Sequence, residues 1–422
     1  METNEQKLIE TIEGLKKDIL ELTCRLVREK SILGNEASVV QLMKGQLESL
    51  GFSPRIVPIQ PEKLKDHPGF AQVPWDYTGR YNLVCQRPAD GDGGKSALFN
   101  GHLDVVDPEP VHLWDTDPFQ PVEREGRLYG RGTGDMKSGV AAMIYALYAI
   151  EKAGLGLKAP VTLETVIEEE CCGNGALAVL DAGYTADAAL IPEPFGPTIL
   201  THQVGVLWFK IIVEGKPVHV LEAPIGANAI EKMFPVIQAL RKLEQAMNET
   251  EVPEAYREID HPINLNTGIF NGGNWPSTVP ARAELHGRLS FFPGVSYETV
   301  CDQIRSTVEK AVENDSWLKA NQPQIEFYGF RSEGHGISRD TPALQTLNGC
   351  HQSLYGSDAE TYIATCTTDL RVLHHFGNIP CTCYGPVGGN FHGANEWVDI
   401  KSIGDTAKTY ALFLARWCGL ME

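Results

Sequence analysis

The chain has 422 residues, which exceeds the size at which a single hydrophobic core stops growing, so we predict two domains. Acidic residues outnumber basic residues by 55 to 36, and the net charge of −19 argues against nucleic acid or an anionic membrane as a partner. We predict a cytoplasmic protein, because the chain starts with an acidic, amphipathic segment and has no apolar run of the roughly 18 residues that span a membrane.

The first half of the chain alternates between predicted helices and predicted strands. Helical spacing and short apolar runs predict helices over residues 5–30 and 37–50, strands over residues 53–58, 81–86 and 96–100, and a loop over about residues 60–80. The alternation continues to about residue 191, which favours a largely parallel α/β sheet. In such sheets ligands gather at the carboxyl ends of the strands.

From about residue 205 the pattern changes to two strand and helix pairs, which predicts a small α+β insertion. Its predicted elements are a strand over residues 206–213, a helix over 227–243, a strand over 283–291 and a helix over 300–312. After about residue 330 the α/β alternation resumes, with helices over residues 342–354, 369–376 and 400–416 and a strand over 379–384. We therefore predict one domain of residues 1–204 and 329–422, with a second domain of residues 205–328 inserted into it.

A glycine-rich segment is the feature around which the predicted site is arranged. Residues 130–139 read Gly-Arg-Gly-Thr-Gly-Asp-Met-Lys-Ser-Gly and place one acid, Asp135, just before an apolar helix over residues 140–150. A phosphate-binding loop is an alternative, but the dinucleotide fingerprint has a glycine where Asp135 stands, and an acid repels phosphate. Asp135 is also predicted to cap the helix, which is compatible with binding a metal.

Other candidate ligands follow apolar runs at the ends of separate predicted strands. His102 and Asp104 are two residues apart on extended backbone, so their side chains point the same way. A carboxylate in that position orients a metal-bound imidazole. Glu168, Glu169 and Glu170 end another apolar run on a tight turn, where one acid can bind metal while its neighbour approaches a metal-bound water. The ordinary alternative for these three acids is a solvated run of charges.

Glu193, which stands between two prolines, and His392, in a glycine-rich loop, complete the candidate set. Each alone is as readily an ordinary loop residue, but histidine, aspartate and glutamate together are the ligands of a zinc site. Cys171 and Cys172 follow the acids, yet no second cysteine pair stands at zinc-finger spacing. We predict that the ten cysteines are reduced thiols, most of them buried.

In their order along the chain, these motifs resemble those of the dinuclear zinc hydrolases that include acetylornithine deacetylase, succinyl-diaminopimelate desuccinylase, aminoacylase and glutamate carboxypeptidase. The motifs are Gly-His-Leu-Asp-Val-Val at residues 101–106, the glycine-rich segment at 130–139, Glu169-Glu170, Glu193-Pro194, and Gly385-Pro386 followed by His392 and Glu396. The resemblance spans about residues 80–400. It implies a zinc-peptidase-like catalytic domain, with a mixed, mostly parallel sheet flanked by helices, and an inserted lid domain through which the chain forms a homodimer.

The resemblance further implies a set of metal ligands. One Zn²⁺ is held by His102, Asp135 and Glu193, and a second Zn²⁺ is held by Asp135, Glu170 and His392. Asp135 therefore bridges the two ions, for which Co²⁺ or Mn²⁺ is a possible substitute.

Catalytic and substrate-binding roles follow from the same resemblance. Glu169 matches the general base, although Glu168–Glu169 is an alternative to Glu169–Glu170 as the functional pair, and Asp104 matches the acid behind the first histidine. In the lid, His219 matches a histidine that reaches the active site of the partner subunit, and Asn228 and Arg288 match residues that contact substrate. His286 stands where the family frequently has an aspartate, two residues before Arg288.

The predicted reaction is the metal-dependent hydrolysis of a linear amide, which removes an acyl group from an N-acyl amino acid or a similar small amine, as acetylornithine deacetylase does. One alternative is a dipeptidase or carboxypeptidase with the same site. A second is a formylaminopyrimidine deformylase, because the aromatic stretch at residues 73–82 resembles that branch of the family. The ordinary alternative for this stretch is a loop that packs on the rim of the sheet. A third, outside the enzymes, is a metal-free binding protein on this scaffold.

Overall fold

The structure is a computed structural model that describes residues 3–421, so Met1, Glu2 and Glu422, at the ends of the predicted first domain, lie outside the described residues. The α-helices are α1 Thr3–Arg28, α2 Ala37–Ser49, α3 Pro61–Leu64, α4 Ser138–Lys152, α5 Asn174–Asp181, α6 Ala229–Glu249, α7 Tyr297–Val312, α8 Ser316–Ala320, α9 Pro342–Tyr355, α10 Leu370–His375 and α11 Ile400–Phe413. The strands are β1 Arg55–Pro58, β2 Tyr81–Arg87, β3 Ala97–His102, β4 Val122–Arg124, β5 Arg127–Tyr129, β6 Val161–Val166, β7 Ala188–Ile191, β8 Ile199–Gln203, β9 Gly205–Glu214, β10 Leu265–Gly272, β11 Arg282–Phe291, β12 Gln324–Ser332, β13 His335–Gly336, β14 Thr361–Ala364, β15 Cys381–Cys383, β16 Gly388–Gly389 and β17 Trp397–Asp399.

A six-stranded mixed sheet with the order β1-β2-β6-β3-β7-β15 forms the centre of the α/β fold. Strands β6, β3, β7 and β15 are parallel, whereas β1 and β2 are antiparallel to their neighbours. This agrees with the predicted mostly parallel sheet. Because β3, β6 and β7 run parallel side by side, the residues that follow them meet at one edge of the sheet.

Three long helices, α1, α4 and α11, pack against one another and supply much of the larger hydrophobic core. Helix α4 is buried almost all round, as expected for its nearly uninterrupted apolar sequence. The ten cysteines are free, and eight of them are buried, which agrees with the predicted reduced thiols. Within residues 3–421, no helix combines the length and the apolar character that crossing a membrane requires.

A four-stranded antiparallel sheet with the order β10-β11-β9-β12 forms the second core together with α6 and α7. This core draws its buried side chains from residues 204–330. The predicted strand and helix pairs are present, but β10 was not predicted. Strand β10 lies at the edge of the sheet, and a register shift between Thr267 and Ile269 interrupts its pairing with β11, so its sequence has no regular alternation of apolar and polar residues. The short strands β8 and β14 were also missed.

Candidate metal centre

Asp135 lies on a backbone turn that is held in place by one buried acid, Glu396. The Glu396 carboxylate accepts hydrogen bonds from the backbone N–H groups of Gly134, at 2.9 Å, and Asp135, at 3.0 Å. Gly132, with a φ of 81°, makes the left-handed turn before them, and its N–H donates to the other oxygen of Glu396. Helix α4 begins three residues after Asp135 and has Lys137 at its N-cap. The predicted capping role of Asp135 is therefore wrong.

The two carboxylate oxygens of Asp135 face two different histidines. Asp135 Oδ1 lies 3.0 Å from Nε2 of His102, the last residue of β3, and Oδ2 lies 3.5 Å from Nε2 of His392. His392 Nε2 also lies 3.0 Å from Glu170 Oε2. Although burial acts in the opposite direction, the two histidines hold the pKa of Asp135 below its ordinary value. One carboxylate thus stands between two imidazoles, which is the arrangement of a bridging ligand.

Asp104 lies directly behind His102 and links it to the turn that carries the glutamates. The backbone oxygen of Asp104 is 3.0 Å from His102 Nδ1, and its carboxylate is 3.6 Å from the same nitrogen. The carboxylate also accepts hydrogen bonds from the backbone N–H groups of Glu170, at 3.1 Å, and Glu169, at 3.4 Å. Burial raises the pKa of Asp104 to about 7. One buried acid therefore sets the spacing between the first histidine and the two glutamates.

Glu169 and Glu170 line the cavity, whereas the fully buried Glu168 points away from it. The Glu168 carboxylate accepts hydrogen bonds from Arg80, at 2.8 Å, from the Tyr77 hydroxyl, at 2.6 Å, and from the Trp75 indole. Arg80 in turn forms a bidentate ion pair with the buried Glu36. The aromatic stretch at residues 73–82 thus forms hydrogen bonds and an ion pair with the residue that precedes the glutamate pair.

Replacing Arg80 with methionine is expected to destabilise the protein by about 3–5 kcal/mol, because Glu36 and Glu168 would remain buried without their cation. Urea denaturation of metal-free protein measures this change. The control is Arg305→Met, which removes a cation from a surface pair with Asp302 and should cost less than about 1 kcal/mol. Equal losses in the two variants would contradict the prediction.

Glu169 has a partner that the sequence did not reveal, Arg371 at the start of α10. Arg371 Nη1 donates to Glu169 Oε1 at 3.2 Å, and Nη2 lies 3.4 Å from the Glu169 backbone oxygen. Burial raises the pKa of Glu169 to about 8, and the charge of Arg371 opposes this rise. Glu193, which follows β7, lines the same cavity, and burial raises its pKa as well. Several buried acids therefore converge where a cation would relieve their repulsion.

A cavity of about 590 Å³ is lined by four of these acids, Asp135, Glu169, Glu170 and Glu193, and by His392. Arg288 lines this cavity; its Nη2 donates to the Thr365 backbone oxygen at 3.4 Å, and burial lowers its pKa. Asn228 caps helix α6 through its side chain and does not line the cavity. His219 is exposed and also lies outside the lining. Within one chain, the structure thus brings Arg288 to the predicted site and leaves Asn228 and His219 away from it.

The donor chemistry of the site fits divalent metal ions. One ligand atom from each of His102, Asp135 and Glu170 lies within 4.8 Å of the other two, and nitrogen and oxygen ligands suit zinc or manganese. Glu168, Cys171 and Cys172 form a second group with equally close donor atoms. This group does not fit a metal, because the Arg80 guanidinium already pairs with Glu168, and burial raises the pKa values of both thiols.

Known proteins resemble this chain in sequence and in fold. The sequence profile of peptidase family M20/M25/M40 matches residues 98–416. An N-formyl-4-amino-5-aminomethyl-2-methylpyrimidine deformylase of Bacillus subtilis is 29% identical over 372 residues, which are 83% of this chain and 86% of the relative. A succinyl-diaminopimelate desuccinylase of Thioalkalivibrio sulfidiphilus is 27% identical over 410 residues, which are 94% of this chain and 98% of the relative. Among solved structures, a dipeptidase of Saccharomyces cerevisiae has the same fold, with a TM-score of 0.82, 17% identity and 99% coverage of both chains.

Proposed function

The chain belongs to peptidase family M20/M25/M40 and is a metal-dependent amidohydrolase, and from this premise we propose that it removes the acyl group from an N-acyl amino acid or a similar small N-acylated amine. The observation that carries the proposal is Asp135, whose two oxygens face His102 and His392. Asp135 and Glu169 line the same cavity. The alternative of a metal-free binding protein is not retained.

We assign the first metal to His102, Asp135 and Glu193 and the second to Asp135, Glu170 and His392. Zn²⁺ is the proposed ion at both positions, with Co²⁺ or Mn²⁺ as a substitute. Such ions, when bound, lower the pKa of water and polarise the carbonyl of the substrate amide. The buried acids around Asp135 are consistent with this assignment, because without a cation their charges repel one another.

Glu169 is the proposed general base. Its carboxylate takes a proton from the attacking water and then passes that proton to the nitrogen of the leaving amine. Arg371 holds one Glu169 oxygen at 3.2 Å and leaves the other available for this exchange. Asp104 fixes the orientation of His102, as a carboxylate behind a metal-bound imidazole does.

The lid residues are proposed to complete the site in a homodimer. His219 and Asn228 lie away from the cavity of their own chain, and the segment around His219 exposes Val220, Leu221 and Ile225. Contact with a second copy would cover this apolar segment and bring His219 to the partner subunit, where it would stabilise the oxyanion of the tetrahedral intermediate. The cytoplasmic location stays a prediction.

Arg288 is proposed to bind a carboxylate of the substrate. Arg288→Met is therefore expected to raise the KM for N-acyl amino acids by roughly 10- to 100-fold, since hydrogen bonds to charged groups contribute about 1.5–3 kcal/mol. The KM for N-acyl amines without a carboxylate should change little. Steady-state kinetics on both substrate types, with Arg305→Met as an exposed control, measure the difference. An equal rise for both types would contradict a carboxylate-binding role.

A substrate panel tests the proposed reaction. Protein loaded with zinc is incubated with N-formyl, N-acetyl and N-succinyl derivatives of amino acids and small amines, and with a series of dipeptides, while release of the free amine is followed. Turnover of acylated amines at a higher kcat/KM than any dipeptide supports deacylation. A preference for dipeptides would replace the proposal with peptide hydrolysis at the same site.

A further inference from the structure

Arg371 forms only half of a two-point pair with the carboxylate of Glu169. An arginine beside a carboxylate frequently makes two parallel hydrogen bonds, one to each oxygen. Here Arg371 Nη1 donates to Glu169 Oε1 at 3.2 Å, whereas Nη2 donates to the backbone oxygen of Glu169 at 3.4 Å. Within residues 3–421, no hydrogen bond reaches Glu169 Oε2. A two-point pair would occupy the oxygen that is needed to accept a proton from water.

A second acid, Asp369, lies beside the nitrogen that stays away from Glu169 Oε2. Asp369 Oδ1 is 3.5 Å from Arg371 Nη2, and both side chains are buried. Burial raises the pKa of Asp369, and the positive charge of Arg371 opposes this rise. The ion pair therefore favours the charged carboxylate, which attracts the nitrogen that could otherwise turn toward Glu169.

Asp369 does not make the hydrogen bonds that are usual for its position in the chain. An aspartate at an N-cap ordinarily accepts from the first backbone N–H groups of the helix. Asp369 is the N-cap of α10, yet its side chain makes no capping bond, and neither carboxylate oxygen has a hydrogen-bond partner within the described chain. The Leu370 N–H donates to Thr368 Oγ1 instead, at 3.2 Å. Buried oxygens without hydrogen bonds are rare, so the ion pair with Arg371 is what offsets their cost.

The surroundings of the guanidinium are closely packed. Gly173, on the turn after the glutamates, has a φ of 75°, and a Cβ there would lie 2.6 Å from Arg371 Nη2 and 3.0 Å from Asp369 Oδ1. The Phe330 ring of β12 packs on the guanidinium, with Arg371 Cζ 4.7 Å from the ring centroid. Close packing leaves the guanidinium few positions, and its carboxylate partners decide among them.

We propose that Asp369 is a positioning residue whose carboxylate holds Arg371 Nη2 away from Glu169, so that Oε2 stays free to take the proton of the attacking water. The inference rests on the proposed role of Glu169 as general base. Asp369 is not among the residues that line the cavity, so its effect on the reaction passes through Arg371. Without the charge of Asp369, Nη2 turns to Oε2 and the two-point pair forms.

Asp369→Asn tests the proposal on zinc-loaded protein, with a substrate found in the panel of acylated amines and dipeptides. The kcat should fall about 10- to 100-fold, as is typical when the partner of a catalytic group is lost. The KM and the metal content per chain should stay unchanged. Glu164→Gln, which replaces a buried acid of β6 whose partner is Asn100, is the matched control and should keep its kcat.

Arg371→Lys separates a positioning role from a general effect on the fold. Lysine keeps the positive charge, but its single nitrogen cannot bond both oxygens as a planar guanidinium does. Asp369→Asn added to Arg371→Lys should therefore lower kcat by less than about twofold. Equal losses in the native and Arg371→Lys backgrounds would overturn the proposal, because Asp369 would then act independently of the two-pronged guanidinium.

Crystal structures of the native and Asp369→Asn proteins decide the inference without any measurement of activity. In Asp369→Asn, Arg371 Nη2 should lie at about 3 Å from Glu169 Oε2. An arginine that keeps its native contacts would overturn the inference. If the native protein hydrolyses no amide, the proposed function fails, and these structures still show whether Asp369 holds Arg371 away from Glu169. If amides are hydrolysed and Asp369→Asn has the native kcat, the inference fails and the proposed function stands.

Discussion

Glu169→Gln is expected to lower kcat by about 10²- to 10⁴-fold, because this is the rate enhancement that general acid–base catalysis typically contributes. Glutamine has nearly the size of glutamate and keeps an oxygen for Arg371 Nη1, which lies 3.2 Å from Glu169 Oε1 in the native protein. It cannot accept the proton of the attacking water. Because Glu169 is not an assigned metal ligand, the metal content per chain should stay unchanged. Steady-state kinetics and elemental analysis of the same preparation measure both quantities.

The control is Glu309→Gln, an exposed position on α7 that should leave kcat unchanged. A large loss of activity accompanied by a loss of metal would place Glu169 among the ligands instead of the base. Full activity in Glu169→Gln would remove the residue from the mechanism and require another base among the acids that line the cavity.

Three of the metal-ligand candidates, His102, Glu170 and Glu193, could be predicted from the sequence because they come at or shortly after the ends of parallel strands. His102 ends β3, and the glutamate pair and Glu193 come shortly after β6 and β7. Each strand is an apolar run that is visible in the sequence, and neighbouring parallel strands bring their carboxyl ends together. Local sequence was therefore sufficient to place these acids and the first histidine near one another.

The residues that hold the ligands in position could not be predicted in the same way. Glu396 reaches the N–H of Gly134 from 262 positions further along the chain, and Arg371 reaches Glu169 from 202 positions. Arg80 pairs with Glu168 across 88 positions. Such contacts leave no period or spacing in the sequence, since each depends on how separate elements pack. The direction in which the Glu168 side chain points depends on Arg80 and its neighbours. From the sequence alone, therefore, either Glu168–Glu169 or Glu169–Glu170 could be the functional pair.

The structure also shows why removal of one acid should affect both proposed metals. In a site with separate ligand sets, each ion would be lost independently. Here Asp135 turns one oxygen to His102 and the other to His392, and Glu396 holds the backbone of the same residue. A change at this residue therefore reaches both halves of the site, while changes at Glu193 or Glu170 should first affect only one half.

Asp135→Ala is expected to bring the metal content from two zinc equivalents per chain to one or fewer and to lower kcat by about 1,000-fold. The estimate follows from the several kcal/mol that metal ions contribute to stabilising a transition state, since about 4 kcal/mol corresponds to a factor of about 1,000. Elemental analysis of protein purified without chelator, followed by titration with zinc, measures the metal content.

Asp181→Ala, which replaces an exposed acid in α5, is the matched control and should retain both zinc equivalents. Two tightly bound zinc ions in Asp135→Ala would rule out the bridging role, because the two histidines would then bind metal without the carboxylate between them. One equivalent in the native protein would point to a mononuclear hydrolase, with Glu170 or Glu193 outside the ligand set.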